Sequence, residues 1–221
     1  MNTLRATSLA VSIPIILYGL IFLFSEKSDA NFSAGTIQHA HKDLNCASCH
    51  LESEGTVRQQ IQANTKYLLG MRENPVDFGH QKVTSSECID CHERANDRHP
   101  IYRFREPRFA EAKSVIDATS CLGCHSEHKD EKVSTGDIEF CSACHQDLEL
   151  KDDPIDVAHT ELIQNEEWST CLGCHDFHGN HKREAQLNLD EKFSTKEIEE
   201  YFGSGESPYG NELYFKAKDN E

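Results

Sequence analysis

The sequence has few basic residues, few methionines and little apolar material. Of its 221 residues, 22 are Lys or Arg and 38 are Asp or Glu, so the formal net charge is -16. Binding to nucleic acid or to an anionic lipid surface needs clustered Lys and Arg, so this charge disfavours both kinds of partner. Hydrophobic residues make up 37% of the chain, which is low for a globular domain. The chain is therefore expected to need something besides its own side chains to fill its interior.

The longest apolar run lies near the N-terminus and predicts an exported protein. Arg5 precedes a predominantly apolar stretch over residues 9–24, and Ser28–Ala30 has the small-x-small pattern of a cleavage site. These features predict a signal peptide over residues 1–30, cleaved after Ala30. The alternative is an uncleaved N-terminal anchor, although the run is shorter than the roughly 20 residues that usually span a membrane. Either interpretation places the rest of the chain in the periplasm, free after cleavage or anchored to the inner membrane without it.

All ten cysteines belong to one motif, Cys-x-x-Cys-His, which occurs five times. Two thiols three positions apart lie on one side of a helical turn and can form the two thioether bonds of haem (heme) c, while the following His supplies the proximal iron ligand. A zinc site or a disulfide framework would give no reason for a His after every second Cys. The predicted haem-attaching residues are Cys46, Cys49, Cys88, Cys91, Cys121, Cys124, Cys141, Cys144, Cys171 and Cys174, and the predicted proximal ligands are His50, His92, His125, His145 and His175.

Eight further histidines compete for the second axial position of five irons. Met71 is the only methionine after the predicted signal peptide, so at most one iron could have His and Met ligands. Most or all of the haems are therefore predicted to have two His ligands. The favoured distal ligands are His41, His80, His128, His159 and His178. The reserves are His39, His99 and His181, of which His181 could instead contact a haem propionate.

Two of the favoured histidines lie too close to a motif to serve its own haem. His128 follows His125 by three residues, and His178 follows His175 by three. Three residues span at most about 11 Å and cannot pass around a macrocycle to its other face. If these histidines are ligands, each serves another haem, so neighbouring haems must pack closely. Which distal His serves which haem stays open.

The motif starts are 42, 33, 20 and 30 residues apart, intervals too short for separate domains. We expect one pentahaem domain over residues 31–181, mainly α-helical with long loops and little strand. Helices are predicted for residues 59–71, 107–116 and 198–202, the last behind the capping box that begins at Ser194. Residues 182–221 are expected to form a C-terminal extension that packs on the haem domain.

A basic stretch over residues 102–109 has two interpretations. Arg103, Arg105 and Arg108 could pair with haem propionates, because a guanidinium suits carboxylates. The alternative is an exposed strip of ion pairs. We favour the propionate interpretation, because each buried haem brings two acids that need partners.

These motifs resemble those of the multihaem c-type cytochromes of bacterial periplasms, within the broad group of class III cytochromes c and pentahaem electron carriers. The resemblance extends over about residues 39–181 and rests on three features. These are the five Cys-x-x-Cys-His motifs, the His shortly before a motif at His41 and His80, and the His three residues after the third and fifth motifs. It implies a fold dominated by haem packing. Multihaem nitrite reductases are less similar, because their active haem commonly has a Lys in place of the proximal His, and no such motif occurs here.

The leading hypothesis is a non-catalytic electron-transfer protein without catalytic residues. Five covalent haems c, mostly with two His ligands, would pass single electrons between periplasmic or membrane redox partners, such as a quinol-oxidising cytochrome or a terminal reductase. The alternatives are a membrane-anchored quinol-oxidising cytochrome and a haem reductase with one open iron. Contact with the membrane is expected only through the N-terminal segment, if it is not cleaved.

Overall fold

The computed structural model describes residues 3–24 and 35–218. The chain divides into two compact units, Met1–Thr36 and Ile37–Glu221. The described part of the first unit is mainly helix α1, Thr3–Phe24, which contains the apolar run and Pro14. Within the described residues, no helix is both long and apolar enough to cross a membrane. The predicted cleavage pattern Ser28–Ala30 lies outside the described residues.

The second unit consists of short helices joined by loops. In its described part, the α-helices are α2 Val57–Leu68, α3 Ser85–His92, α4 Ser142–His145, α5 His159–Gln164, α6 Cys171–Cys174 and α7 Thr195–Phe202. The 3₁₀ turns are His39–His41, Cys46–Ser48, Arg103–Arg105, Pro107–Phe109, Ala112–Ser114, Cys121–Gly123, Trp168–Thr170 and Leu189–Glu191. No strand occurs in the described residues, where the isolated bridges join Glu52 to His80 and His181 to Leu213. The predicted mainly α fold class is confirmed.

Local sequence explains where three of the helices begin. Each starts at a Ser or Thr whose hydroxyl accepts a hydrogen bond near the helix N-terminus, while a Glu or Gln side chain three residues on accepts one from the cap's own backbone N–H. These capping boxes are Thr56 with Gln59, Thr84 with Glu87, and Ser194 with Glu197. The helix predicted over 59–71 is found over Val57–Leu68, so it begins two residues earlier and ends three residues earlier, and the helix behind Ser194 begins at Thr195.

The continuous helix expected over residues 107–116 is wrong. This segment instead forms two 3₁₀ turns, Pro107–Phe109 and Ala112–Ser114. Neither turn has a side-chain cap at its start, and the Ser114 hydroxyl donates to the Glu111 carbonyl oxygen over 2.7 Å. A serine that bonds a nearby backbone carbonyl competes with the regular helical pattern.

A buried apolar cluster joins the fifth motif to the C-terminal extension. Leu172 of α6 packs with Ile198 of α7 and with Tyr209, whose hydroxyl donates to the Leu172 carbonyl oxygen over 2.6 Å. Gly173 permits this packing, because a Cβ there would lie 2.7 Å from the Phe193 carbonyl oxygen. The apolar side chains that are buried in the described residues are few, namely Phe104, Ala112, Leu172, Ile198 and Tyr209.

Candidate haem sites

Each motif forms a helical turn that brings its cysteines and its proximal His together. In the first, third, fourth and fifth motifs, the His backbone N–H donates to the carbonyl oxygen of the first Cys over 2.8–3.0 Å. The second motif lies at the end of α3. No disulfide joins the ten cysteines, all of which are described and at least partly accessible to solvent. The turn therefore presents both thiols as a c-type haem requires. Motifs and their haems are numbered first to fifth in chain order below.

The proximal imidazole of every motif faces a second imidazole. The distances between ring centroids fall in the narrow range 5.8–6.2 Å. The pairs are His92 with His41 at 5.8 Å, His125 with His178 at 6.2 Å, His145 with His99 at 6.1 Å, and His175 with His159 at 6.1 Å. His50 has two such neighbours, His80 and His128, each at 6.1 Å.

This spacing fits an iron between two imidazoles. A metal–imidazole nitrogen bond is about 2 Å, and the ring centroid lies roughly 1.1 Å beyond the nitrogen, so two rings on opposite sides of one iron should be about 6 Å apart. Ring pairs without a histidine have similar separations, such as 5.7 Å between Phe104 and Phe109, so the informative feature is that an imidazole partner recurs at every motif. The imidazole pairs therefore fit an iron between the two rings at each motif.

Hydrogen bonds at Nδ1 prepare the distal rings for metal binding through Nε2. Nδ1 of His41 pairs with the Glu127 carboxylate. Three other rings have similar partners: His159 with Asp153 Oδ1 at 2.8 Å, His178 with Asp97 at 3.2 Å, and His99 with the Phe177 carbonyl oxygen at 2.5 Å. A partner at one ring nitrogen fixes the orientation of the imidazole and leaves the other nitrogen as the ligand.

Several of the proximal and candidate distal imidazoles are also held in their neutral form. Burial lowers the pKa of His92, His99, His125 and His175 below the usual value for imidazole. Nδ1 of His125 lies 2.6 Å from the Lys132 carbonyl oxygen, a contact that raises the pKa of His125 but does not outweigh its burial. A neutral imidazole can bind iron without first losing a proton.

The structure brings the five favoured distal histidines to proximal ones and adds a sixth. His128 faces His50 and His178 faces His125, so neither lies opposite the His of its own motif. His99, which sequence analysis held in reserve, faces His145. It is positioned by stacking on Phe177 and Phe104, at 4.2 and 6.3 Å. No local signal in the sequence could have identified it, because its partner lies 46 residues away.

His181, another reserve histidine, is not paired with a proximal imidazole in the described residues. His181 has both ring nitrogens in use, with Nδ1 2.7 Å from Asp176 Oδ2 and Nε2 3.0 Å from the Ser207 hydroxyl. Its partners are therefore protein groups, and its position ties the fifth motif to the C-terminal extension. The side chain of His39 lies outside the described residues.

A comparison with known families supports haem attachment through these motifs. Residues 38–146, which include the first four motifs, match the family model described as cytochrome c3. This part of the chain belongs to the cytochrome c3 family. The protein is therefore a multihaem c-type cytochrome, with covalently bound haem c and a role in electron transfer. No curated protein and no solved structure gives a significant match to the chain.

Contacts between motifs place several haem sites of this cytochrome side by side. The Cys121 backbone N–H in the third motif donates to the hydroxyl of Ser85, at the start of the helix that carries the second motif, over 3.0 Å, and the nearby Cys121 side chain raises the pKa of the Cys88 thiol. In the same way, the nearby Cys171 side chain of the fifth motif raises the pKa of the Cys141 thiol in the fourth. The second and third sites are therefore neighbours, as are the fourth and fifth.

The basic stretch over residues 102–109 lies largely at the surface. Arg103, Arg105 and Arg108 are all exposed. Nε of Arg108 lies 2.9 Å from Glu106 Oε2, and its guanidinium lies over the Phe109 ring, 4.6 Å from the centroid. For Arg108, these contacts favour the surface interpretation over propionate pairing.

Proposed function

We propose that this cytochrome is a five-haem electron carrier in which protein histidines fill both axial positions of every iron. The observation that carries the proposal is the set of imidazole pairs 5.8–6.2 Å apart, at least one for each motif. When bound, each haem iron supplies one-electron chemistry between its two oxidation states. The histidines would fill both axial positions of that iron and leave no open position for a substrate. The protein is then a carrier and not an enzyme.

The path for electrons follows from the contacts between sites. His178 lies three residues from the fifth motif but faces His125 of the third, which supports adjacent third and fifth haems. Phe177 lies between the distal rings of the third and fourth sites, with its centroid 5.0 Å from His178 and 4.2 Å from His99. Together with the thiol contacts, these links connect the second, third, fourth and fifth sites into one cluster.

The proposed partners are redox proteins with basic docking surfaces. The net charge of -16 favours transient association with such partners through electrostatic attraction. The N-terminal segment supports export, so the proposed location is the periplasm, and a quinol-oxidising cytochrome or a terminal reductase would be a suitable donor or acceptor.

One observation favours a second arrangement, a membrane-anchored quinol-oxidising cytochrome. The apolar run lies within a continuous helix, α1. No helix of the described residues is long and apolar enough to cross a membrane, so the anchored form would require α1 to be retained and the bilayer to adapt to its short apolar run. Sequencing the N-terminus of the purified mature protein separates the two. A start at Asn31 would exclude the anchored form, whereas an intact helix would support it.

The ligand proposal is tested by counting spin states in the oxidised wild-type protein. Electron paramagnetic resonance and magnetic circular dichroism should give only low-spin signals of bis-His haem, and haem content by the pyridine haemochrome assay should be five per chain. A high-spin fraction in protein with full haem content would contradict the proposal and favour a reductase with an open iron.

A further inference from the structure

Among the described side chains, two imidazoles face one proximal His at the first haem site, whereas each of the other four sites has one. The centroids of His80 and His128 both lie 6.1 Å from that of His50. Their planes make angles of 71° and 40° with the His50 ring. One iron bound to His50 has a single remaining axial position, so only one of the two can fill it at a time.

His80 is held beside the first motif by the backbone that follows His50. An isolated antiparallel bridge joins it to Glu52. On either side, Ser53 N–H donates to the Gly79 carbonyl oxygen over 2.9 Å, and Gln81 N–H donates to Leu51 over 2.8 Å. Gly79 has a φ of +77°, which a residue with a side chain would adopt only with strain. The exposed His80 is therefore brought to the first site independently of the other motifs.

His128 reaches the same site from the third motif. The carbonyl oxygen of its neighbour Glu127 accepts a hydrogen bond from Gln38 N–H over 2.8 Å, and the Glu127 carboxylate pairs with His41. His128 is also less exposed than His80. Two separately anchored segments thus place an imidazole side chain opposite the same proximal ligand, His50.

We propose that His80 and His128 are interchangeable distal ligands of the haem attached to Cys46 and Cys49. This inference rests on the proposed function, since it assumes that the haem has two His ligands. In the exchange, the bond from one Nε2 to the iron breaks as the bond from the other forms, and no electron is gained or lost. The position stays closed to external ligands even when a docking partner displaces the exposed segment that carries His80.

The two ligand states would differ in reduction potential. Solvent exposure and hydrogen bonding around an axial ligand tune the metal that it binds. An exposed His80 and a half-buried His128 provide different surroundings, so a partner that shifts the balance between them would also shift the potential of the first haem.

The test uses His80→Ala, His128→Ala and the double variant, each purified with its haem content measured. The readouts are the high-spin signal of the oxidised protein and carbon monoxide binding by the reduced protein. Both single variants should remain fully low-spin and bind no carbon monoxide, whereas the double variant should gain one high-spin haem that binds one carbon monoxide per chain. His99→Ala serves as the matched control, because the fourth site offers one distal His and should open with that single change.

Other outcomes would overturn the inference. A high-spin haem in either single variant would identify that His as the sole ligand, and a double variant that stays low-spin would mean that neither residue binds. If alanine lowers the haem content, His80→Gln and His128→Gln repeat the comparison with side chains of more similar size. A high-spin fraction already present in the wild-type protein would instead contradict the proposed function, so the two failures are distinguishable.

Discussion

Replacing Asp97 by Asn should raise the reduction potential of the third haem. Asp97 lies 3.2 Å from Nδ1 of the proposed distal ligand His178, and its side chain is 14% exposed. Burial raises the pKa of Asp97, but hydrogen bonds from His178 and the His99 backbone outweigh this effect and keep that pKa below the usual value. The carboxylate is therefore charged at neutral pH and stabilises the oxidised, more positive iron. Asn retains an acceptor oxygen, so the substitution removes mainly the charge.

The size of the effect follows from the distance between the carboxylate and the iron position. An iron midway between His125 and His178, whose centroids are 6.2 Å apart, lies roughly 7 Å from the carboxylate. At an effective dielectric constant of about 20, one charge at that distance contributes about 2.4 kcal/mol. For a one-electron couple this corresponds to an upward shift of roughly 100 mV.

A potentiometric titration followed by visible spectroscopy measures the shift. One of the five midpoint potentials should rise in Asp97→Asn, and the low-spin spectrum should persist because His178 remains. Asp190→Asn is the matched control, since it removes the same charge from an exposed carboxylate. Five unchanged potentials in Asp97→Asn, or an equal shift in the control, would refute the assignment of Asp97 as the partner of a haem ligand.

Three further predictions address the ligands, the C-terminal extension and the partners. His99→Ala should create one high-spin haem because His99 faces His145, whereas His181→Ala should leave the spin-state spectrum unchanged; the reverse result would contradict the structural assignment. Ile198→Ala should lower the free energy of unfolding by about 2–5 kcal/mol, because Ile198 is fully buried, while Leu68→Ala at an 82% exposed position should change it by less than about 0.5 kcal/mol. Denaturant unfolding of the holoprotein measures both, and equal effects would mean that α7 is not packed. The rate of electron transfer to a basic redox partner should fall with added salt, as stopped-flow mixing can establish, and a salt-independent rate would argue against electrostatic docking.

The sequence could predict those structural features that depend on contacts between residues close together in the chain. The motif turn closes between the His backbone N–H and the first Cys, so His50 and His175 were identifiable as candidate proximal ligands by spacing alone. The capping box at Ser194 likewise located the start of α7. Both depend on contacts that the local chain makes with itself.

Pairing of distal and proximal imidazoles could not be predicted, because it depends on packing between remote segments. His99 lies opposite His145 while its ring stacks on Phe177, which is 78 residues further along the chain. The role of His181 was equally hidden, since Ser207 belongs to an extension without a recognised motif. The helix prediction over 107–116 was wrong for a different reason. The composition of this segment resembles that of a helix, but the Ser114 hydroxyl donates to the Glu111 carbonyl oxygen and the two turns lack side-chain caps.

The central claim is that five haems are attached covalently through the five motifs. Intact mass spectrometry of protein matured in a host that performs c-type haem attachment tests it most directly. The mass should exceed that of the processed polypeptide by five haem groups and should lose one group for each motif in which both cysteines are replaced by serine. A mass equal to that of the polypeptide alone, or one that is unaffected by these replacements, would contradict the claim.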